Sequence, residues 1–140
     1  MLYVLCGIPG SGKTTYSQQL AEKLNAKLYC YDKIPGSSHP KKFVMLHKQM
    51  WMRISRDLRE DHTVVCDDLH TTIKQRSDIL NALKEVDCKK VLVVMTTPLE
   101  ECLIRNRNRK ARLPDFVLED IHNKFEQPTL EEGWDEIIFK

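Results

Sequence analysis

Five short apolar runs punctuate the chain, and between them apolar residues recur at three- or four-residue steps. Leu2-Tyr3-Val4-Leu5-Cys6, Lys27-Leu28-Tyr29-Cys30-Tyr31, Thr63-Val64-Val65-Cys66, Lys90–Met95 and Trp134–Phe139 read as strands. The run from Lys90 to Met95 is the most apolar segment, as a strand covered on both faces is. Helical spacing covers Thr15–Leu24 and Lys41–Arg59, the latter through Phe43, Leu46, Met50, Ile54 and Leu58. It covers Thr72–Val86 through Ile73, Ile79, Leu80 and Leu83. Thr97-Pro98-Leu99-Glu100 has the N-cap, N1 and capping-box residues of a fourth helix, which Pro114 ends. A short amphipathic helix, Asp115–Phe125, follows. Strand and helix alternate, so the expected fold is α/β: one domain over residues 1–140, with a five-stranded parallel sheet and helices on both faces.

The junction of the first strand and first helix carries the chemistry. Gly7-Ile8-Pro9-Gly10-Ser11-Gly12-Lys13-Thr14 fits the P-loop pattern and sits where its mechanism requires, after a strand and opening a helix. Backbone N–H groups of Gly7, Pro9-flanking Gly10, Ser11, Gly12 and the helix start through Thr15 are expected to cradle phosphate oxygens. Lys13 supplies a point charge for the terminal phosphates, and the Thr14 hydroxyl is a ligand for Mg²⁺. A nucleoside triphosphate, ATP or another, with Mg²⁺ is the expected cofactor pair.

Ligands of open parallel sheets bind beyond the carboxyl ends of the strands. That rim receives Asp32 from the second strand and Asp67-Asp68 from the third. Asp32 is the candidate general base toward an acceptor hydroxyl and a candidate substrate contact. Asp67-Asp68 has the Walker B arrangement: Asp67 is assigned to the metal and Asp68 to the substrate, although spacing does not choose between them. Arg76, early in the third predicted helix, is placed near the same rim as a substrate residue. After the fourth strand, Arg105 to Arg112 holds five cations in eight residues, with no acid inside the run. On a continuous helix Arg105, Arg109 and Arg112 share one face, suited to bidentate phosphate contacts.

Composition narrows the reading. Charged residues make up 30% and the net charge is only +2, so a nucleic-acid site must be a local basic patch. No apolar run reaches the roughly 20 residues of a membrane span, and the strand at residue 2 leaves no signal peptide. The five cysteines lack CxxC spacing and read as reduced thiols of a cytoplasmic protein. Neither a guanine-selecting Asn-Lys-x-Asp pattern nor an assembly-ATPase module is visible.

Taken together these motifs resemble the small P-loop kinases of the polynucleotide kinase type, including the 5′-hydroxyl kinase domains of phage and of eukaryotic kinase–phosphatase enzymes. The resemblance rests on Gly7–Thr14 with Pro9, on Asp32 nineteen residues past Lys13, on Arg105-Asn106-Arg107-Asn108-Arg109, and on Phe125-Glu126-Gln127-Pro128 with Glu132-Gly133. It implies an adenylate-kinase-like fold with an Arg-rich lid, in which Arg105 and Arg109 are the catalytic and nucleotide-binding pair, and transfer of the γ-phosphate of ATP to a hydroxyl, foremost the 5′-OH end of DNA or RNA. Asp68-Leu69-His70 stands where such kinases often have Asp-Thr-Asn, and Lys33-Ile34 replaces the Arg that usually follows the base. A small-molecule or nucleoside-type kinase is the alternative on the same fold, and a nucleotide-binding module without enzymatic activity is a third reading. Oligomeric state is left open.

Overall fold

The computed structural model describes all 140 residues. Strands β1 (Leu2–Cys6), β2 (Lys27–Cys30), β3 (Val64–Asp67), β4 (Lys90–Val94) and β5 (Glu136–Phe139) form one sheet in the order β2-β3-β1-β4-β5. Every neighbouring pair is parallel. Helices α1 (Lys13–Leu24), α2 (Phe43–Arg59), α3 (Ile73–Ala82), α4 (Leu99–Arg107) and α5 (Asp115–Asn123) complete the α/β architecture expected from the sequence. No helix is long and apolar enough to cross a membrane.

The two-residue pleat divides each central strand between two cores. Leu2, Val4 and Cys6 of β1, Val64 and Cys66 of β3 and Leu92 and Val94 of β4 face one side, against Leu46, Met50 and Ile54 of α2 and Ile79 of α3. Leu5, Val65, Val91 and Val93 face the other, against Ala21 of α1. The same alternation fixes the direction of Asp67, two residues beyond Val65: it turns toward α1. Register sets Asp67 beside Leu5 on one strand and Cys30 on the other, so the strand ends reach one rim together.

A third cluster joins the P-loop to the C-terminal half. Ile8 packs with Cys102 of α4 and Leu118 of α5. Gly10 sits at φ 82°, and a Cβ there would lie 2.5 Å from the Cys102 carbonyl oxygen. Left-handed backbone and close approach both demand glycine at this point.

Among the element boundaries that differ from the sequence reading, three bear on the site. The Arg105–Arg112 run is not one helix: α4 stops at Arg107 with Asn108 as its cap. Buried Asn106 is the cause, because its side-chain amide donates to Leu113 O at 2.7 Å and its carbonyl accepts from Leu113 N at 3.1 Å. That pair folds the chain back, so Arg109 and Arg112 leave the helix. Thr97 is not the N-cap of α4, because its hydroxyl donates to Ser11 O at 2.8 Å; Pro98 takes the cap position. In β2 the strand ends one residue early, and Tyr31–Lys33 tightens into a 3₁₀ turn that carries Asp32.

Candidate active site

A cleft of about 690 Å³ opens at the rim, and only three of its 18 lining residues are apolar. Such a lining suits a charged ligand rather than a lipid or steroid. Pro9, Gly10, Ser11, Gly12, Lys13, Thr14 and Thr15 form its floor. Asp32, Asp67 and Asp68 line one wall, and Arg105 and Arg109 the other. Gly7 lies beneath the floor, where a Cβ would come within 2.7 Å of Ser11 Oγ.

Lys13 is 8% exposed, and its Nζ donates to Ile8 O at 3.2 Å, which holds the ammonium across the loop. Burial draws its pKa below the ordinary lysine value, against the opposing pull of Asp67, Asp68 and Asp32. Asp67 accepts a bond of 3.1 Å from Ser17 Oγ of α1, which aims it toward the helix start and Thr14. The set at this point is a carboxylate and a hydroxyl, hard oxygen donors and few of them. Mg²⁺ fits that set, because it retains waters and takes phosphate oxygens in place of a full protein cage. Arg105 Nη1 stands 3.3 Å from where a Cβ of Gly12 would be, so the guanidinium lies against the loop. The lid cations are partly neutralised: Arg105 pairs with Glu101 at 2.6 Å and Arg107 with Asp115 at 2.6 Å. Arg109, on the turn beyond the helix, has no such partner and faces the cleft.

The three carboxylates are differentiated by their partners. Asp68 Oδ1 accepts from Leu69 N at 2.8 Å and Oδ2 from His47 Nε2 at 3.0 Å. Burial alone would raise its pKa, but the His47 bond and neighbouring charges bring it below the usual carboxylate value. The Asp32 carboxylate makes no hydrogen bond to protein. Its pKa is raised by burial and by Asp68, against Lys13 and Arg109.

His47 was not legible as a site residue, since it sits on the buried stripe of α2 beside Leu46 and Met50. Its Nδ1 faces Phe43 O at 3.0 Å and its Nε2 faces the Asp68 carboxylate. Both partners accept, so the geometry suits a ring that donates from both nitrogens, the protonated form. The Tyr31 ring stacks on it at 3.8 Å, and Phe43 and Trp51 flank it at 4.3 and 5.6 Å. This aromatic enclosure favours the cation. Burial lowers the pKa of His47, but the Asp68 bond prevails and the net shift is upward from 6.5. A raised folded-state pKa contributes stability that is complete below 6.5 and disappears as pH rises through the folded value. Urea unfolding at about pH 6 and pH 9 should therefore show His47→Leu losing much more stability at the lower pH. An equal loss at both would mean that the ring is neutral.

Arg76 is not brought to the cleft. It is 0% exposed: Nε and Nη2 donate to Glu132 at 2.7 and 3.2 Å, Nη1 to His70 O at 3.0 Å and Nη2 to Glu126 O at 2.8 Å. Four of its five N–H donors are used in these bonds and it does not line the cleft, so it acts as a clamp. The cysteines are free thiols, and burial pushes Cys6 to about 11 and Cys66 well up, so neither is a thiolate nucleophile.

Sheet order, P-loop and Arg-bearing lid define a P-loop kinase-like α/β protein. A solved structure of Chaetomium thermophilum Kti12 in complex with ADP-AlF3 superposes with a TM-score of 0.76 over 100% of this chain and 88% of that one, at 18% identity. The chain belongs to the KTI12 family, described as Chromatin associated protein KTI12, which matches residues 1–140. That family takes the place of the polynucleotide kinase type suggested by the motifs. L-seryl-tRNA(Sec) kinase of Methanococcus maripaludis is 28% identical over 96% of this chain, and Protein kti12 of Schizosaccharomyces pombe 22% over 99%. The chain spans 56% of each of these two proteins, about half their length.

Proposed function

We propose that this chain is an ATP–Mg²⁺-dependent phosphotransferase whose acceptor is a hydroxyl carried by an RNA. The observation that carries it is the convergence of Lys13, Asp32, Asp67, Asp68, Arg105 and Arg109 on one polar cleft. ATP supplies the transferable phosphoryl group, and Mg²⁺ would supply positive charge that offsets that of the phosphates. The P-loop N–H groups and Lys13 hold the donor phosphates; Arg105 and Arg109 offset charge that develops on the equatorial oxygens. Thr14 and Asp67 hold the metal. Asp68, fixed by His47 and Leu69, orients the acceptor hydroxyl. Asp32 takes its proton, being the carboxylate with unbonded oxygens and the higher proton affinity. The RNA-borne acceptor is supported by the L-seryl-tRNA(Sec) kinase relative. The 5′-OH end of an RNA or DNA strand is the second reading, favoured by the Gly7–Thr14 and Arg105–Arg109 motifs.

The base role has a pH signature. A raised Asp32 pKa places the rising limb of the pH–rate profile above the ordinary 3.8. Asp32→Asn should remove that limb and lower kcat by about a hundredfold, with ATP binding intact. A retained limb would transfer the base role elsewhere.

The activity test offers labelled ATP–Mg²⁺ to seryl-tRNA, 5′-hydroxyl RNA and DNA oligonucleotides, nucleosides and small alcohols. Label released by mild base as phosphoserine identifies an aminoacyl hydroxyl. Base-stable label on a polynucleotide identifies the 5′ end. Label only on small molecules overturns the RNA-borne acceptor while leaving the kinase, and absence of label on every acceptor overturns both.

A further inference from the structure

Positive charge is concentrated on a second surface, away from the lid. Residues 33–59 hold seven of the 22 Lys and Arg but only one of the 20 Asp and Glu, a net +6 in a chain of +2, so the rest of the molecule carries −4. All seven cations are exposed, whereas the one acid, Asp57, is buried. Only Arg56 has a carboxylate within 4.0 Å, its neighbour Asp57 at 3.8 Å. Arg105 and Arg107 on the lid, by contrast, are ion-paired.

Helical periodicity arranges this charge. The buried face of α2 is Leu46, Met50, Ile54 and Leu58. Its outer face presents Met45, Lys48, Met52, Arg56 and Arg59 at three- and four-residue steps, so cations and flexible thioethers share roughly 21 Å of helix. Beside this face runs a groove of about 370 Å³, lined by Lys48, Trp51, Met52, Ser55, Arg59 and Ala82. It has an aromatic and apolar floor with a cation at either end. Trp51 also lines the small cavity that contains His47 and Asp68, and Asp68 and Leu69 line both that cavity and the active cleft, so shared side chains link the groove to the cleft.

We infer that the outer face of α2 and the α2–α3 groove form a docking surface for RNA, with Lys48 and Arg59 on phosphates and Trp51 under a base. Unpaired cations flanking an aromatic floor are what a nucleic-acid strand recognises. Continuity with Asp68 lets a strand held here present its reactive group to the cleft. The inference rests on the RNA-borne acceptor proposed above and adds where the RNA binds.

The test measures binding of a fluorescein-labelled RNA hairpin with a single-stranded 3′ tail to the full chain by anisotropy, from about 50 to 200 mM salt. Lys48→Glu with Arg59→Glu should weaken binding at least about tenfold and reduce the salt slope by about 2. Lys48→Gln with Arg59→Gln should do the same to a lesser degree. Lys23→Glu with Lys124→Glu, an equal charge change on α1 and beyond α5, should leave binding near wild type. ATP binding should be unchanged in all three, which reports folding. Equal loss in the α1/α5 variant, no loss in either α2 variant, or selective loss of binding to phosphatidylserine vesicles while RNA binding persists would overturn the inference. The two readings separate: RNA that binds through Lys48 and Arg59 but accepts no phosphate keeps the surface and sinks the RNA-borne acceptor. RNA phosphorylated equally well by both α2 variants does the reverse.

Discussion

Lys13→Met should reduce phosphoryl transfer by about a thousandfold while leaving the protein at least as stable as before. The rate loss follows from removing the charge nearest the donor phosphates, where one electrostatic donor is worth about a hundred- to thousandfold. The stability expectation follows from the direction of the Lys13 pKa. Burial holds it below 10.5 even after the attraction of Asp67, Asp68 and Asp32 has acted, so the folded state carries this ammonium at a cost. A depressed lysine pKa lowers stability wherever the folded group is charged, and the penalty fades as pH climbs from the folded value to 10.5. Methionine keeps the stem in its buried channel and discards the charge. Transfer rates and urea melts at neutral pH check both halves together. Transfer within tenfold of wild type would remove Lys13 from the reaction. A large loss of stability would mean that the three carboxylates depend on it. Selection of a buried, costly cation over a neutral side chain is the usual mark of a functional site traded against stability.

Much of this site is legible because its parts lie at strand ends. The P-loop announces itself by spacing, and Asp32 and Asp67 are delivered to the same rim by any parallel sheet that places β1 between β3 and β4. Pleat alternation then points Asp67 toward α1, where Ser17, three residues past Thr14, meets it. Less legible are residues whose role depends on a partner far along the chain. His47 occupies a core position by periodicity, and only the fold sets Asp68 against it, 21 residues away. The lid was over-read for a related reason. Spacing puts three arginines on one helical face, but Asn106 prefers Leu113 and ends the helix after Arg107. The basic segment 33–59 is less legible because its seven cations are spread over 27 residues rather than packed into eight, and those on α2 become a surface only when its buried face is known. Charge density along the sequence favoured the lid, whereas unpaired charge in space favours α2.

Arg76 shows the opposite case, a residue near the rim in sequence that proves to be structural, and Arg76→Met should cost about 3–5 kcal/mol of stability. Four donated bonds tie the β3–α3 turn, through His70 O, to the segment after α5, through Glu126 O and the Glu132 carboxylate. Trp134 Nε1 donates to the same carboxylate at 3.3 Å, so the ion pair also reaches the end of the connector, whose start is tied separately by Glu126 N to Thr71 O at 3.0 Å. Loss of the guanidinium would leave Glu132 largely buried and uncompensated, along with two carbonyls. Arg76→Lys should restore little, since a single ammonium cannot match a planar fork that reaches three acceptors. Burial pushes the Glu132 pKa up, but the Arg76 bond more than offsets it and the net value lies below 4.5. The clamp therefore contributes fully above 4.5 and is lost as pH falls through the folded value, so the difference between wild type and Arg76→Met should shrink in acid. Arg76→Met with Glu132→Leu should regain most of the loss, because an apolar pair of similar volume replaces a buried ion pair at little cost. Urea unfolding of the four variants in a double-mutant cycle checks this. A loss under about 1 kcal/mol for Arg76→Met, or a double variant no better than the single, would return Arg76 to the list of residues free to meet a substrate.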